Sequence, residues 1–357
     1  MDLRKWLRSS NLVSNLYYGL HIDDLPVILG TKTYEKSVDD TIIKYIPNST
    51  EAERRNIKKD VKRCYLKYKV SPVEYFLFGF HSLPDNKRKE FLTDKFMYMT
   101  LGRITGRKKH DSEIEDKWGF YHLAKPFFKR SVVLVKTKED YHSFEELALR
   151  VNKLICKPND KALGSGIFVV DVNNEVEAGK TFEKIMSKGG SWIVEERIQQ
   201  SPVMAQWNES SVNTIRVYSF LSSDGFHLLT PVLRTGRQGS CIDNGAAGGC
   251  FANIDYTTGI VVSEGYNEKE NKYYSCHPDS HIQFNGWSIP CWNELLKTVE
   301  KIHKEVMPTH PYIGWDFALT NNNEWVVIEA NWGQLLCQYV DKVGRKAEFM
   351  KFVSGRL

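Results

Sequence analysis

Tyr312-Ile313-Gly314-Trp315-Asp316-Phe317-Ala318-Leu319-Thr320-Asn321-Asn322-Asn323-Glu324-Trp325-Val326-Val327-Ile328-Glu329-Ala330-Asn331 is the segment on which the reading of this chain turns. Ile313, Trp315, Phe317 and Leu319 share one face by the two-residue strand period, which leaves Asp316 on the other. Asparagine tolerates the left-handed backbone of a tight turn, so Asn322-Asn323 is expected as a two-residue hairpin turn. A hairpin folded there sets Asp316 opposite Glu329, with Asn331 pointing the same way. Opposed cross-strand side chains lie roughly 4.5–5.5 Å apart, and like charges there are destabilising. A cation between them reverses that penalty. Two carboxylates and a carboxamide oxygen form a hard, oxygen-only set suited to Mg²⁺ carried by ATP phosphates. The competing account is an exposed hairpin in a shifted register, because a slip of one residue separates the two acids.

Upstream, Lys157-Pro158-Asn159-Asp160-Lys161-Ala162-Leu163-Gly164-Ser165-Gly166-Ile167 reads as strand, glycine-containing loop, strand. Glycines let backbone N–H groups approach phosphate oxygens, and a lysine on the preceding strand neutralises them. A plain hairpin is the alternative. Trp192-Ile193-Val194-Glu195-Glu196-Arg197-Ile198 is a strand that ends in acids. Arg216 lies in a strand behind Asn213-Thr214, where a buried guanidinium needs phosphate, carboxylate or a structural ion pair. Arg234 and Arg237, flanking Gly236, are further candidates for anion contact. The polar stretch Asp243–Gly249 either holds substrate hydroxyls or an amine, or simply joins two strands. His277 in His277-Pro278-Asp279 is a possible proton acceptor or a structural histidine.

The whole chain has 357 residues, enough for two or three lobes around substantial cores. Its 41% apolar and 26% charged residues argue against disorder. No run approaches the roughly 18–20 apolar residues of a membrane helix, and the start lacks a signal peptide's apolar run. The seven cysteines stand singly, without zinc spacing, which suits a reducing compartment and reads as small buried hydrophobes. Residues 1–110 hold 22 Lys/Arg against 13 Asp/Glu, a net +9, which leaves −4 for the rest of a +5 chain. Arg54-Arg55, Lys58-Lys59 and Lys62-Arg63 recur at near-helical spacing. They form either one solvated helix face or a surface for a nucleotide-sugar, a lipid-linked glycan or a membrane. No nucleic-acid motif accompanies them, so a nucleic-acid partner is not expected. Leu3, Trp6 and Leu7 beside Arg4, Lys5 and Arg8 mark a helix that packs on a neighbour or lies on a membrane surface.

Residues 1–110 read as mainly helical. Short strands follow at Ser131–Val135, Leu154–Pro158, Ile167–Val172 and Trp192–Glu195, with a helix near 175–188. Longer strands are expected at Asn213–Leu221, Phe226–Thr235, Gly249–Tyr256 and Gly259–Ser263, then a helix near 292–306. This pattern is an α+β one.

Asp316, then Glu329 thirteen residues later, then Asn331, resembles the metal-binding Asp…Glu-x-Asn signature of the ATP-grasp superfamily. More narrowly, Asn213-Thr214-Ile215-Arg216, Asp243-Asn244 with Gly248-Gly249, His277-Pro278-Asp279, Gly314-Trp315-Asp316 and Glu329-Ala330-Asn331 resemble its sugar-transfer-associated, polysaccharide-biosynthesis branch. The resemblance covers about 115–340. It implies an ATP-grasp fold in which two α+β lobes clasp ATP behind a mainly helical N-terminal region. The corresponding boundaries are 1–110, a small lobe with a phosphate-covering loop over 111–200, and a large lobe with the metal site over 201–357.

The resemblance also distributes roles. Asp316, Glu329 and Asn331 hold Mg²⁺; Lys157 contacts phosphate, with Lys161, Gly164, Ser165 and Gly166 in the covering loop. Lys117 is the earlier nucleotide-contacting lysine, although Lys95 in Asp94-Lys95-Phe96 offers a similar pattern. Glu195, Glu196 and Ile198 read adenine and ribose, and Arg216 with Arg234 meets the transferring phosphate or acyl-phosphate. The D-alanine ligase type has an arginine two residues before the metal aspartate. Here Gly314 stands there, so Arg216 or Arg234 must supply that charge, or the chemistry differs. The implied activity is an ADP-forming carboxylate–amine ligase of surface polysaccharide biosynthesis, with ATP and Mg²⁺ as cofactors. The rivals are a kinase of a glycan precursor and a non-catalytic nucleotide-binding scaffold. Expected partners are small-molecule or glycan-linked carboxylates and amines, and glycan assembly enzymes. The expected location is cytoplasmic, extending to peripheral contact with the inner face of the membrane.

Overall fold

The structure is a computed structural model that describes residues 24–106, 110–159 and 164–356. The helix expected around Leu3, Trp6 and Leu7 and the loop residue Lys161 lie outside the described residues. Helices come first, at Lys32–Tyr45, Glu51–Tyr68, Pro72–Leu77 and Asp94–Thr105. Thr50 and Ser71 each open a helix by accepting a backbone N–H, while Glu53 and Glu74 reach back to the cap. The basic pairs from Arg54 to Arg63 all lie on Glu51–Tyr68, where Lys58 is paired with Asp39 and Arg63 with Asp60.

Two antiparallel sheets follow. The small one contains β1 (Val132–Val135), β2 (Lys153–Pro158), β3 (Phe168–Asp171) and β4 (Trp192–Glu196), in the order β1-β4-β2-β3. The large one contains β5 (Thr214–Ser222), β6 (Gly225–Thr235), β7 (Cys250–Asn253), β8 (Gly265–Asn267), β9 (Lys272–Tyr274), β10 (Tyr312–Leu319) and β11 (Trp325–Asn331). Its order is β11-β10-β5-β6-β7-β8-β9. The strand expected at Gly259–Ser263 is instead a pair of isolated bridges, Ile254 to Val261 and Ile260 to Ser288. β8 and β9, three residues each, are too short to show a periodic signal in sequence.

The apolar side chains form two cores. Helices Tyr141–Val151 and Glu175–Lys188 bury Phe144, Leu147 and Ile185 with Leu154 and Val194 of the small sheet. The other core joins the N-terminal helices to the large sheet, where Phe78 packs on Phe91 and Tyr339. The Gln338 side chain ties the same regions by bonding both backbone groups of Leu92, at 3.0 and 2.8 Å. Of the cysteines, Cys64, Cys156, Cys250 and Cys337 are buried, and Cys276 is exposed.

The β10–β11 hairpin closes through Asn321–Asn323, with Asn323 at φ 58°, and not through a two-residue Asn322-Asn323 turn. The longer turn aligns Leu319 with Trp325, one residue off the expected pairing. A bulge then restores it: Phe317 faces Val327, Ile328 is skipped, and Asp316 faces Glu329. The two departures cancel, so the expected juxtaposition of the acids stands.

Candidate active site

A cavity of about 370 Å³ lies between the sheets, with a third wall from the N-terminal region. Its floor is a row of cross-strand neighbours, because Glu329, Asp316 and Arg216 are in register across β11, β10 and β5. Arg216 grips Asp316 with two N–H groups, Nε to Oδ1 and Nη2 to Oδ2 at 2.8 Å. Arg234 of β6 adds Nη1 to Asp316 Oδ2 at 2.8 Å and Nη2 to Asp243 Oδ1 at 3.0 Å. The Thr214 hydroxyl donates to the other oxygen of Asp243. Gly314 contributes no charge here, and both expected substitutes, Arg216 and Arg234, reach Asp316.

Burial alone raises a carboxyl's pKa, yet Asp316 lies well below the usual range because the Arg216 and Arg234 guanidiniums outweigh it. Glu329 goes the other way: burial first, then the neighbouring Asp316 charge, push it up. Two guanidiniums therefore face three carboxylates, the buried Asp243 and Asp316 and the half-buried Glu329. That deficit, with the Asn331 side chain donating to Glu329 at 3.4 Å, fits a divalent cation at Asp316, Glu329 and Asn331. Among the described residues no group of three His, Cys, Asp or Glu side chains is placed to hold a metal ion, and Asn331 adds a carboxamide oxygen to Asp316 and Glu329.

The small-sheet wall is built the opposite way. Glu195 receives Lys157 Nζ at 2.8 Å and Arg130 Nε at 2.8 Å. Burial opposes its ionisation, but Arg130 and Lys157 prevail and hold it down at about 2. One carboxylate thus faces two cations, and Lys117 and Glu115 line the same cavity. Arg130 also donates to the Val327 carbonyl at 2.8 Å, bracing the small sheet against β11. Lys117 opens the helix Lys117–Phe128, whose first turn is capped by Asp116, with Asn159 bridging to β2. Lys95 does not line the cavity; it is paired with Asp24 and bonded to Tyr65.

The remaining expected residues divide. Gly164 and Ile198 line the cavity, and a Cβ on Gly164 would meet Ile242 of the facing lobe at 2.7 Å. Ser165 and Gly166 are exposed at the loop tip. Glu196 is turned out of the cavity: its carboxylate accepts the Ser131 N–H at 3.3 Å, as strand alternation after Glu195 requires. Arg237 is held by Asp279 at 2.8 Å, and His277 is fully buried against the Gly236 carbonyl at 2.9 Å, so neither lines the cavity. Arg130 braces the site without any sequence motif to announce it, and Asp94 lines it where the Asp94-Lys95-Phe96 pattern points to Lys95.

A family model described as sugar-transfer associated ATP-grasp matches residues 106–348. No curated protein matches the chain. Among solved structures, D-alanyl-alanine synthetase A from Vibrio cholerae is similar at 11% identity and TM-score 0.42, over 70% of this chain and 67% of that one. The D-alanine-D-alanine ligase from Coxiella burnetii is similar at 12% identity and TM-score 0.36, over 63% and 49%. N5-carboxyaminoimidazole synthetase from Staphylococcus aureus, complexed with ADP, shows 12% identity and TM-score 0.41, over 69% and 52%. The chain thus spans about half to two thirds of the length of these proteins.

Proposed function

We propose that this chain, which belongs to the sugar-transfer associated ATP-grasp family, joins a carboxylate to an amine at the expense of ATP. The observation that carries the reading is the opposite charge imbalance of the two cavity walls. The anionic floor suits Mg²⁺ at Asp316, Glu329 and Asn331, and the cationic wall suits nucleotide phosphates at Lys157 and Lys117. Bound there, Mg²⁺ would offset charge on the phosphate oxygens. Arg234 keeps its Nε–H buried without an acceptor among the described residues, which supports an anion beside it.

In this reading the substrate carboxylate attacks the γ-phosphorus, the bond to the β-phosphate oxygen breaks, and ADP leaves. The amine nitrogen then attacks the acyl carbon, the C–O bond to phosphate breaks, and nitrogen loses a proton as the amide forms. Arg216 and Arg234 neutralise the acyl-phosphate, and the enclosing lobes keep water from it. The lobes run over 111–200 and 201–357, with 1–110 as a third wall. The family's link to sugar transfer supports a sugar-bearing or glycan-linked substrate, made for a surface polysaccharide in the cytoplasm, where ATP is available. Among the described residues no helix is long and apolar enough to cross a membrane.

The test is to incubate the protein with Mg-ATP and paired amino acids, amino sugars and uronic acids, and to measure ADP, phosphate and product. ADP and phosphate that need both a carboxylate and an amine, and that are lost in Glu329→Gln, are the expected result. A phosphorylated product without an amine requirement would make the enzyme a kinase. Absence of both turnover and protection by Mg-ATP against heat would end the ATP reading.

A further inference from the structure

The third wall of the cavity is the part that the family match does not reach. Asp94 and Tyr98, on the first turns of the helix Asp94–Thr105, line the cavity and precede the matched span 106–348. They face Trp332 and Gln334, which follow Asn331 on leaving β11. The joint is close: Gln334 N–H donates to Asp94 Oδ1 at 2.7 Å, and a Cβ on Gly333 would sit 3.1 Å from Tyr98. Gln334 is held at φ 58°, a conformation that costs a non-glycine residue energy and aims its N–H at Asp94.

Two features of this corner are incomplete. The half-buried Asp94 receives one hydrogen bond on Oδ1, and among the described residues none donates to Oδ2, which is open to the cavity. Burial pushes its carboxyl up, against the pull of the Gln334 N–H and then of the Arg216 charge. Trp332 is fully buried and lines the same end, yet its Nε1–H has no acceptor among the described residues. Its ring stacks on His110 at 3.8 Å and meets Tyr98 edge-on at 6.1 Å. An unsatisfied carboxylate oxygen beside aromatic faces is the surrounding that favours an ammonium group, and the spare indole N–H calls for a hydroxyl or carboxylate on the same molecule.

We propose that Asp94 recognises the amine substrate as its ammonium form and accepts the proton that frees the nitrogen lone pair for attack, with Tyr98 and Trp332 as aromatic walls and Trp332 Nε1–H donating to a neighbouring oxygen of that substrate. The class is a primary amine bearing an oxygen acceptor nearby, such as an amino sugar or an amino acid. The subsite rests on the ligase reading above, and it assigns the N-terminal region to choice of amine.

Asp94→Asn is the discriminating variant. It keeps the Oδ1 acceptor for Gln334 N–H and exchanges only the other oxygen, with its charge, for an NH₂ donor. With the full chain, Mg-ATP and each carboxylate of the panel, ADP release is measured with hydroxylamine, uncharged at neutral pH, and with ethanolamine, glucosamine and glycine. The expected result is a fall of about tenfold or more in the ratio of kcat/KM for ammonium-bearing amines to that for hydroxylamine. KM for the amine carries the change, and Asp94→Glu recovers part of it. Trp332→Phe, which keeps an aromatic face and loses the donor, lowers the ratio for glucosamine more than for simple alkylamines. An unchanged ratio in Asp94→Asn, or a wild type that accepts hydroxylamine but no ammonium-bearing amine, overturns the subsite alone. No ADP from the wild type with any carboxylate overturns the ligase reading and the subsite with it.

Discussion

The two walls of the cavity are both buried ion clusters, and they are unbalanced in opposite senses. On the large sheet, Arg216 and Arg234 face Asp243, Asp316 and Glu329. On the small sheet, Lys157 and Arg130 face Glu195 alone. An ion pair that serves only the fold tends to close on itself, since unpaired buried charge is costly. Neither cluster closes, and their surpluses are complementary to a divalent cation and to phosphate. On the proposed reading the difference separates binding machinery from scaffolding, and it can be broken one charge at a time.

The largest effect is expected from Asp316→Asn, which leaves two buried guanidiniums short of a carboxylate. Unfolding free energy from denaturant titration should fall by roughly 3–5 kcal/mol, and ATP turnover by about 10²-fold or more. Glu195→Gln should cost less, about 2–3 kcal/mol, because Arg130 retains the Phe128 and Val327 carbonyls. A larger loss for Glu195→Gln than for Asp316→Asn would invert the comparison. The same residue sharpens it by pH. Glu195 lies at about 2, below its ordinary 4.5. Its contribution is complete above the ordinary value and vanishes as pH falls from there towards 2, so wild-type and Glu195→Gln stabilities should converge across that window.

Lys157→Met leaves Glu195 with Arg130 and is expected to keep the fold while raising KM for ATP about tenfold. An unaltered KM would remove phosphate from the small-sheet wall. The smallest change is expected from Glu329→Gln in metal-free protein, where a repelling carboxylate is deleted and stability should stay within about 1 kcal/mol of wild type or rise. Mg²⁺ should raise the melting temperature of the wild type and not of this variant.

Particular residues show how far the sequence could be read. Asp316, Glu329 and Asn331 were legible because strand alternation and motif spacing are local properties. The turn that joins them was not: its additional residue, Asn321, and the bulge at Ile328 carry no distinguishing chemistry. Lys95 and Lys117 sit in the same Asp-Lys-aromatic pattern, and only the packing of their helices separates an ion pair with Asp24 from a place in the cavity. Glu195 and Glu196 look alike in sequence, yet one is buried between two cations and the other caps Ser131. Arg130 belongs to no motif, and its role depends on β4 and β11 arriving on either side of it.

By itself the sequence determined the α+β character, the helical start, the strand periods and the Asp…Glu-x-Asn set, each encoded within a few residues by side-chain alternation and backbone preference. The tertiary structure decided which charges are left over. Whether Arg216 neutralises Asp316, Arg130 neutralises Glu195, or Asp94 keeps a spare oxygen depends on residues 65 to 240 positions apart meeting in a space that excludes water. Local sequence cannot encode that meeting, because burial and partner distance, which set the cost of a charge, exist only once the chain has packed.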